Sequence, residues 1–373
     1  MTRVLVDLLF YTGTKGGMES YVRNVYSAIK PFAPGTEFIG FASRELAASG
    51  APWFPGSLVD SGISGESRVA WAWGELTAVA RAAHRLGADV LHSPANVGPW
   101  HSRVPLVVTT HDMLPFRFPG YVPGRYAPLL RALMAGTVRA ATRIITISAA
   151  SESEIGHFVP RARGRIDVIP LAGSARPTLG SARPTLASAG TLASAGRSRD
   201  LLLALGNRLP HKNFDGLIRA LALIEEAVRP RLVVTGSHGL DPLASLVDDL
   251  GLGPWVTLEG WIPDARLDAL FAEATAVVVP SFVEGFGLPA LEAMTHGTPV
   301  LCADIPSLRE VSTDAAVYFD PHSPASIAAA VSGTLADPEL LERMSRAGLA
   351  RASHFSWERT AQLTAQSLAR AAR

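Results

Sequence analysis

The strongest constraint on the fold is an alternation that runs twice along the chain. Short aliphatic runs are separated by longer stretches of helical spacing: VLVDLLF (4–10), a helix near 17–30, EFIGFA (37–42), a helix near 70–86, DVLHS (89–93), PLVVTTHD (105–112), a helix near 123–141 and RIITIS (143–148). The pattern restarts with DLLLALG (200–206), a helix near 213–228, RLVVTG (231–236), a helix near 242–251, VTLEG (256–260), a helix near 264–273, AVVVPS (276–281), a helix near 287–296 and PVLCA (299–303). Uninterrupted apolar runs of this length predict strands buried on both faces, hence parallel sheets covered by helices. The reading is α/β, with two doubly wound Rossmann-like domains over 1–171 and 200–355. Ligand chemistry is expected in a cleft between the carboxyl edges of the two sheets.

Between them GSARPTL (173–179) is repeated at once over 180–186 and followed by ASAGTLASAG (187–196). Such a segment buries too little apolar surface to offset its ordering entropy, so 172–199 is expected to be a linker or an expanded surface loop. Helical patterns close the chain, and the last, over 356–373, is expected to pack back on the first domain.

A chain of 373 residues with 48% hydrophobic and 18% charged residues can bury sizeable cores. Residues 1–172 carry 17 Arg and Lys against 12 Asp and Glu, and the other 201 residues carry 17 against 21. This mild basic excess at the front suits an anionic ligand or an anionic membrane surface. Arg125, Arg131, Arg139 and Arg143 are too sparse for a nucleic-acid stripe, and no nucleic-acid partner is expected. Cys302 is the one cysteine, which excludes an internal disulfide and a cysteine zinc cage and fits a reducing cytoplasm. MTRVLVDLLFY is too short in its apolar run for a signal peptide, and no run approaches the ~18 apolar residues of a membrane span. The expected location is cytoplasmic, with peripheral membrane contact through 125–143 or Trp71 and Trp73 weighed against a solvated helix face with core tryptophans.

The first strand leads into Thr12-Gly13-Thr14-Lys15-Gly16-Gly17-Met18-Glu19, ahead of a helix. Glycines at a helix entry let backbone N–H groups approach an anion, although a plain tight turn would look the same. The G-x-G-x-x-G order of a dinucleotide site is absent, and Glu37 opens the second strand instead of ending it. In the second domain AVVVPS runs into Phe282-Val283-Glu284-Gly285-Phe286-Gly287-Leu288-Pro289-Ala290-Leu291-Glu292. Pro289 suits a first helical turn, and carboxylates at 284 and 292 can hold two ends of a polyhydroxylated ligand. Asp248 and Asp249 fall on a helical pattern and no Asp-x-Asp follows a strand, so no metal is expected.

The segment from Glu284 to Glu292 resembles the E-G-F-G-L-P-x-x-E motif of the family-four retaining glycosyltransferases, which have the GT-B fold, and the likeness extends over nearly all of the chain outside 172–199. The resemblance implies a cleft between two facing domains and an enzyme that moves a hexosyl group from a nucleotide-diphosphate sugar to a glycan, lipid-linked or small-molecule hydroxyl acceptor, retaining configuration without a metal or cofactor. It implies that Gly16 and Gly17 lie against the donor diphosphate and that His111, in Thr110-His111-Asp112, contacts the donor sugar. Leu205-Gly206-Asn207-Arg208-Leu209-Pro210-His211-Lys212-Asn213 is similar to the family's second diphosphate clamp. Lys212 matches it, whereas the family's arginine falls on Asn207, with Arg208 one place later. Glu284, Gly285, Phe286, Gly287 and Leu288 are implied at the donor sugar, and Glu292 at the nucleotide ribose. A sugar-nucleotide epimerase, a phosphorylase or a non-catalytic sugar-nucleotide binder on the same scaffold are the competing readings; turnover that depends on an acceptor separates them.

Overall fold

The computed structural model describes residues 1–14, 16–121, 126–173 and 201–373. The repeat over 174–196 and Arg125 lie outside the described residues. The chain divides into two compact units, Met1–Leu171 with Ser356–Arg373, and Ala172–Phe355.

The first unit is built on strands β1 (Thr2–Leu8), β2 (Thr36–Ala42), β3 (Ser57–Asp60), β4 (Val90–Ser93), β5 (Leu106–Thr110), β6 (Arg143–Thr146) and β7 (Ile166–Val168), in the spatial order 3-2-1-4-5-6-7. Every pairing is parallel. Helices α1 (Gly16–Ala28), α2 (Arg44–Ser49), α3 (Arg68–Arg85), α4 (Leu114–Arg117), α5 (Tyr126–Ala140) and α6 (Ala149–Phe158) connect them. In the second unit β8 (Leu201–Leu205), β9 (Arg231–Ser237), β10 (Val256–Gly260), β11 (Ala276–Val279), β12 (Val300–Ala303) and β13 (Ala316–Phe319) are ordered 10-9-8-11-12-13. Its helices are α7 (Phe214–Ala222), α8 (Ala244–Asp249), α9 (Asp264–Glu273), α10 (Leu288–Thr295), α11 (Pro306–Ser312), α12 (Pro324–Leu335) and α13 (Pro338–Ala352).

Strand order reverses between β1 and β4 in one sheet and between β8 and β11 in the other. At such a switch the flanking crossovers leave on opposite faces, so the loops at the carboxyl ends part and expose backbone groups. The central strands β4, β5, β11 and β12 are buried throughout, and β8 is buried in all but its last residue.

The C-terminal helix α14 (Trp357–Ala371) belongs to the first unit, where it packs on α1. Thr360 donates to the Pro170 carbonyl at 2.7 Å, and Ser367 to Asp167 at 2.7 Å. Asp167 also takes Arg143 across the β6–β7 pair at 2.6 Å. The helix expected over 213–228 stops at Ala222, and a separate 3-10 turn forms at Glu226–Val228. Arg229 closes the gap by donating to the Ile224 carbonyl at 2.8 Å. Trp71 and Trp73 separate: Trp71 packs against the first unit's core, while Trp73 is 67% exposed.

Candidate active site

Lys212 follows β8 and Glu284 follows β11, the two strands that flank the second unit's switch. Three consecutive residues of the first loop grip the second. The His211 carbonyl accepts from the Phe282 N–H at 2.8 Å, Lys212 Nζ pairs with Glu284 Oε1 at 2.8 Å, and Asn213 Nδ2 donates to the Pro280 carbonyl at 3.0 Å. Asn213 can do this because it takes the left-handed conformation, with φ of 54°, just before α7. Ser281 adds a hydroxyl donor to Glu284 Oε1 at 2.7 Å. The Lys212 and Glu284 side chains are only 14% and 10% exposed, so their charges interact with little screening by water. His211 is buried beneath them, and burial, then the Lys212 charge, pushes its pKa down to about 4.

Past Glu284 the chain turns into α10 through Gly287, whose φ is 109° and where an added methyl group would sit 2.7 Å from Leu308 Cδ2. Only glycine fits there without strain. Pro289 occupies the first turn of α10. Phe286 is buried and its ring meets Phe355 edge-on at 5.9 Å, so its side chain belongs to the core and only its backbone can serve a ligand. Leu288 and Glu292 are half-buried on the first two turns of α10.

Arg208 departs from the expectation that it offers its guanidinium to a diphosphate. It is 5% exposed, pairs with Asp241 at 2.8 Å, and donates to the carbonyls of Gly206, Thr235, Val234 and Glu259 at 3.1, 2.8, 3.0 and 3.3 Å. A guanidinium has five N–H donors, and this one spends them on the Asp241 carboxylate and on the backbone under the loop. Arg208 therefore shapes the turn that delivers Lys212.

In the first unit Gly16 opens α1 with φ of 41°, and a methyl group added at Gly16 or Gly17 would meet no atom within 4 Å. The preceding loop is fixed by Glu19, which accepts from the N–H groups of Thr12 at 2.6 Å and Gly13 at 3.1 Å. His111 stands one residue past β5, and the loop after β4 holds it. Its N–H donates to Asn96 Oδ1 at 2.7 Å, and its Nε2 lies 3.0 Å from the Pro94 carbonyl. A carbonyl can only accept, so Nε2 carries the proton and Nδ1 is left as an acceptor. Burial pushes the pKa of His111 down to about 4, which keeps the imidazole neutral.

Sequence reasoning missed the parts played by Ser281, Pro94 and Asn96, which position the expected residues without carrying charge, and it placed Asn213 in a motif without a role of its own. Glu19, three residues after Gly16, was the legible one, since an acid in a first helical turn bonds back to the preceding loop. Among the described residues no group of three or more His, Cys, Asp and Glu side chains could hold a metal ion.

Residues 15–172 match the family model of Glycosyltransferase Family 4, and residues 195–351 match that of Glycosyl transferases group 1. The chain is 35% identical to the O-antigen chain mannosyltransferase B of Escherichia coli over 258 residues, covering 68% of this chain and 67% of that protein. The chain belongs to glycosyltransferase family 4. This glycosyltransferase is also 31% identical to a D-inositol 3-phosphate glycosyltransferase of Thermomonospora curvata over 388 residues, 94% of the chain and 89% of the relative. Against several other curated relatives it spans 52% to 65% of their length. Its fold is GT-B: a structure of Anabaena Alr3699/HepE in complex with UDP-glucose superposes with a TM-score of 0.71 at 17% identity, over 99% of this chain and all of that one.

Proposed function

We propose that this glycosyltransferase moves a hexosyl group from a nucleotide-diphosphate sugar, such as GDP-mannose or UDP-glucose, to a hydroxyl of a glycan, lipid-linked or small-molecule acceptor, with retention and without a metal. The observation that carries the reading is the Lys212–Glu284 pair at the β8–β11 switch, beside the amino terminus of α10. A cation and the positive end of the α10 dipole on one side, with acids at 284 and 292 on the other, fit a diphosphate joined to polyhydroxylated rings. The mannosyl name of the Escherichia coli relative and the UDP-glucose in the HepE structure support an activated hexose as donor.

In this reading Glu292 binds the ribose hydroxyls, while Glu284 and the backbone of Gly285, Phe286, Gly287 and Leu288 hold the donor sugar. Gly16, Gly17 and Lys212 receive the diphosphate. Neutral His111, with Nδ1 as acceptor, orients a sugar hydroxyl. The bond from the anomeric carbon to the β-phosphate oxygen breaks, and the new bond to the acceptor oxygen forms on the same face. The acceptor proton passes to the departing phosphate oxygen. Lys212 and the N–H groups stabilise the charge that grows there, the preorganised electrostatic role that usually dominates in such transfers. Trp73 and Val69, 67% and 82% exposed one turn apart on α3, give the first unit an apolar step for an acceptor ring or lipid.

Calorimetry and thermal unfolding with GDP-mannose, UDP-glucose and a deoxythymidine-linked sugar test the reading. One donor is expected to bind and raise Tm, and nucleotide diphosphate is released faster when an acceptor is added. No binding by any of the three would refute it, and donor turnover indifferent to acceptor would favour the epimerase.

A further inference from the structure

We infer that Tyr21 is a positioning residue for His111, held in place by a buried hydrogen-bond chain that runs from Tyr26 on α1 through β4 and β5. The inference rests on the role proposed above for His111.

The chain has one direction. The Tyr26 hydroxyl meets His92 Nδ1 at 2.6 Å and has no other acceptor among these groups, so it donates and Nδ1 accepts. The His92 proton is then on Nε2, which donates to the Thr109 hydroxyl at 2.9 Å. Thr109 in turn donates to the Tyr21 hydroxyl 3.2 Å away. Tyr21, Tyr26, His92 and Thr109 are all 1% exposed or less, where a lost partner is costly.

The fixed Tyr21 ring meets His111 in a T-shaped contact, with centroids 4.8 Å apart and planes at 84°. One ring nitrogen of His111 is tied to the Pro94 carbonyl and the ring is braced by Tyr21, so the direction of Nδ1 is set. Tyr21 stands one helical turn beyond Gly17 on α1, so a single helix carries both the open glycine turn and the support of the histidine.

The test compares Tyr21→Leu, Tyr21→Phe and the wild-type chain by steady-state kinetics and by NMR of the His111 imidazole. The titratable groups facing His111 are Tyr21 from α1 and His92 from β4. In Tyr21→Leu, kcat is expected to fall about 10- to 100-fold with the donor KM little changed. Its His111 resonances should begin to titrate nearer the ordinary midpoint of about 6.5, as water enters. Tyr21→Phe keeps the ring contact and should recover most of kcat. A folded Tyr21→Leu with wild-type kcat and unmoved His111 resonances overturns the inference. Should that variant not fold, Tyr21→Met removes the ring with a smaller loss of volume, and unshifted His111 resonances there have the same force. If the wild-type chain transfers no sugar, the NMR comparison still decides whether Tyr21 sets the ring, separately from the proposed reaction.

Discussion

Lys212 Nζ and Glu284 Oε1 meet at 2.8 Å across 72 residues of sequence, each side chain largely withdrawn from water. In the proposed reading a donor diphosphate draws on the lysine while its sugar draws on the acid, which would make the pair the resting state of two ligand-binding groups. Lys212→Met leaves the buried Glu284 without its cation, facing the Ser281 hydroxyl. Stability should drop by about 3–5 kcal/mol, as when one member of a buried ion pair is removed. The double variant Lys212→Met with Glu284→Gln should regain most of that Tm without regaining donor affinity in calorimetry. A double variant as unstable as the single one would show that the pair is not the source of the loss.

Arg208 should behave as a structural residue. Arg208→Lys cannot reproduce a bonding pattern spread over Asp241 and four carbonyls, because an ammonium has three donors on a flexible stem. Chemical denaturation should report a loss of about 2–4 kcal/mol, in line with other broken buried networks. Donor affinity measured well below the lowered Tm should change less than about threefold, under 1 kcal/mol. A hundredfold loss of donor affinity with unchanged stability would return Arg208 to the ligand.

The contrast between Lys212 and Arg208 marks how far the sequence could be read. Central strands such as Leu201–Leu205 and Ala276–Val279 were legible because burial on both faces leaves an unbroken apolar run. Ser57–Asp60 and Ile166–Val168 sit at the sheet edges, half in water, and carry no such run. Glu284 and Glu292 stood out because their spacing and glycines follow from one local turn. What a cation does depends on carbonyls brought in from β9 and β10, and no local pattern encodes that for Arg208. The same holds for His111, whose tautomer is set by Pro94 on a different loop.

Stability should fall as the pH drops below neutrality. Burial first, then the neighbouring His111, lowers His92 to about 3, while burial lowers His111 and His211 to about 4. The unfolded chain protonates these imidazoles near 6.5, so between about 6.5 and 4 it binds more protons than the folded chain, and acid favours unfolding. The stabilisation is complete above 6.5 and is lost progressively below it. Urea titrations at pH 7 and pH 5 should differ by about 1–2 kcal/mol for each of these histidines. Equal midpoints at the two pH values would mean that the imidazoles are charged in the folded state.

At alkaline pH the buried acids of the first unit act in the opposite sense. Asp7 at the end of β1 and Glu75 on α3 are each 1% exposed and hydrogen-bonded to one another. Burial raises both carboxyls, and the Asp7 charge raises Glu75 further, so Glu75 holds the shared proton and donates it to Asp7. A group whose folded pKa lies above its unfolded value of 4.5 stabilises fully below that value and loses its contribution as pH climbs through the folded one. Glu75→Gln keeps a donor toward Asp7 and has no proton to lose. It should match the wild-type Tm near pH 6 and exceed it at pH 9, whereas Glu75→Ala, which leaves a cavity and takes that donor from Asp7, should be less stable at both. Parallel Tm curves for wild type and Glu75→Gln from pH 6 to pH 9 would place the proton elsewhere than on Glu75.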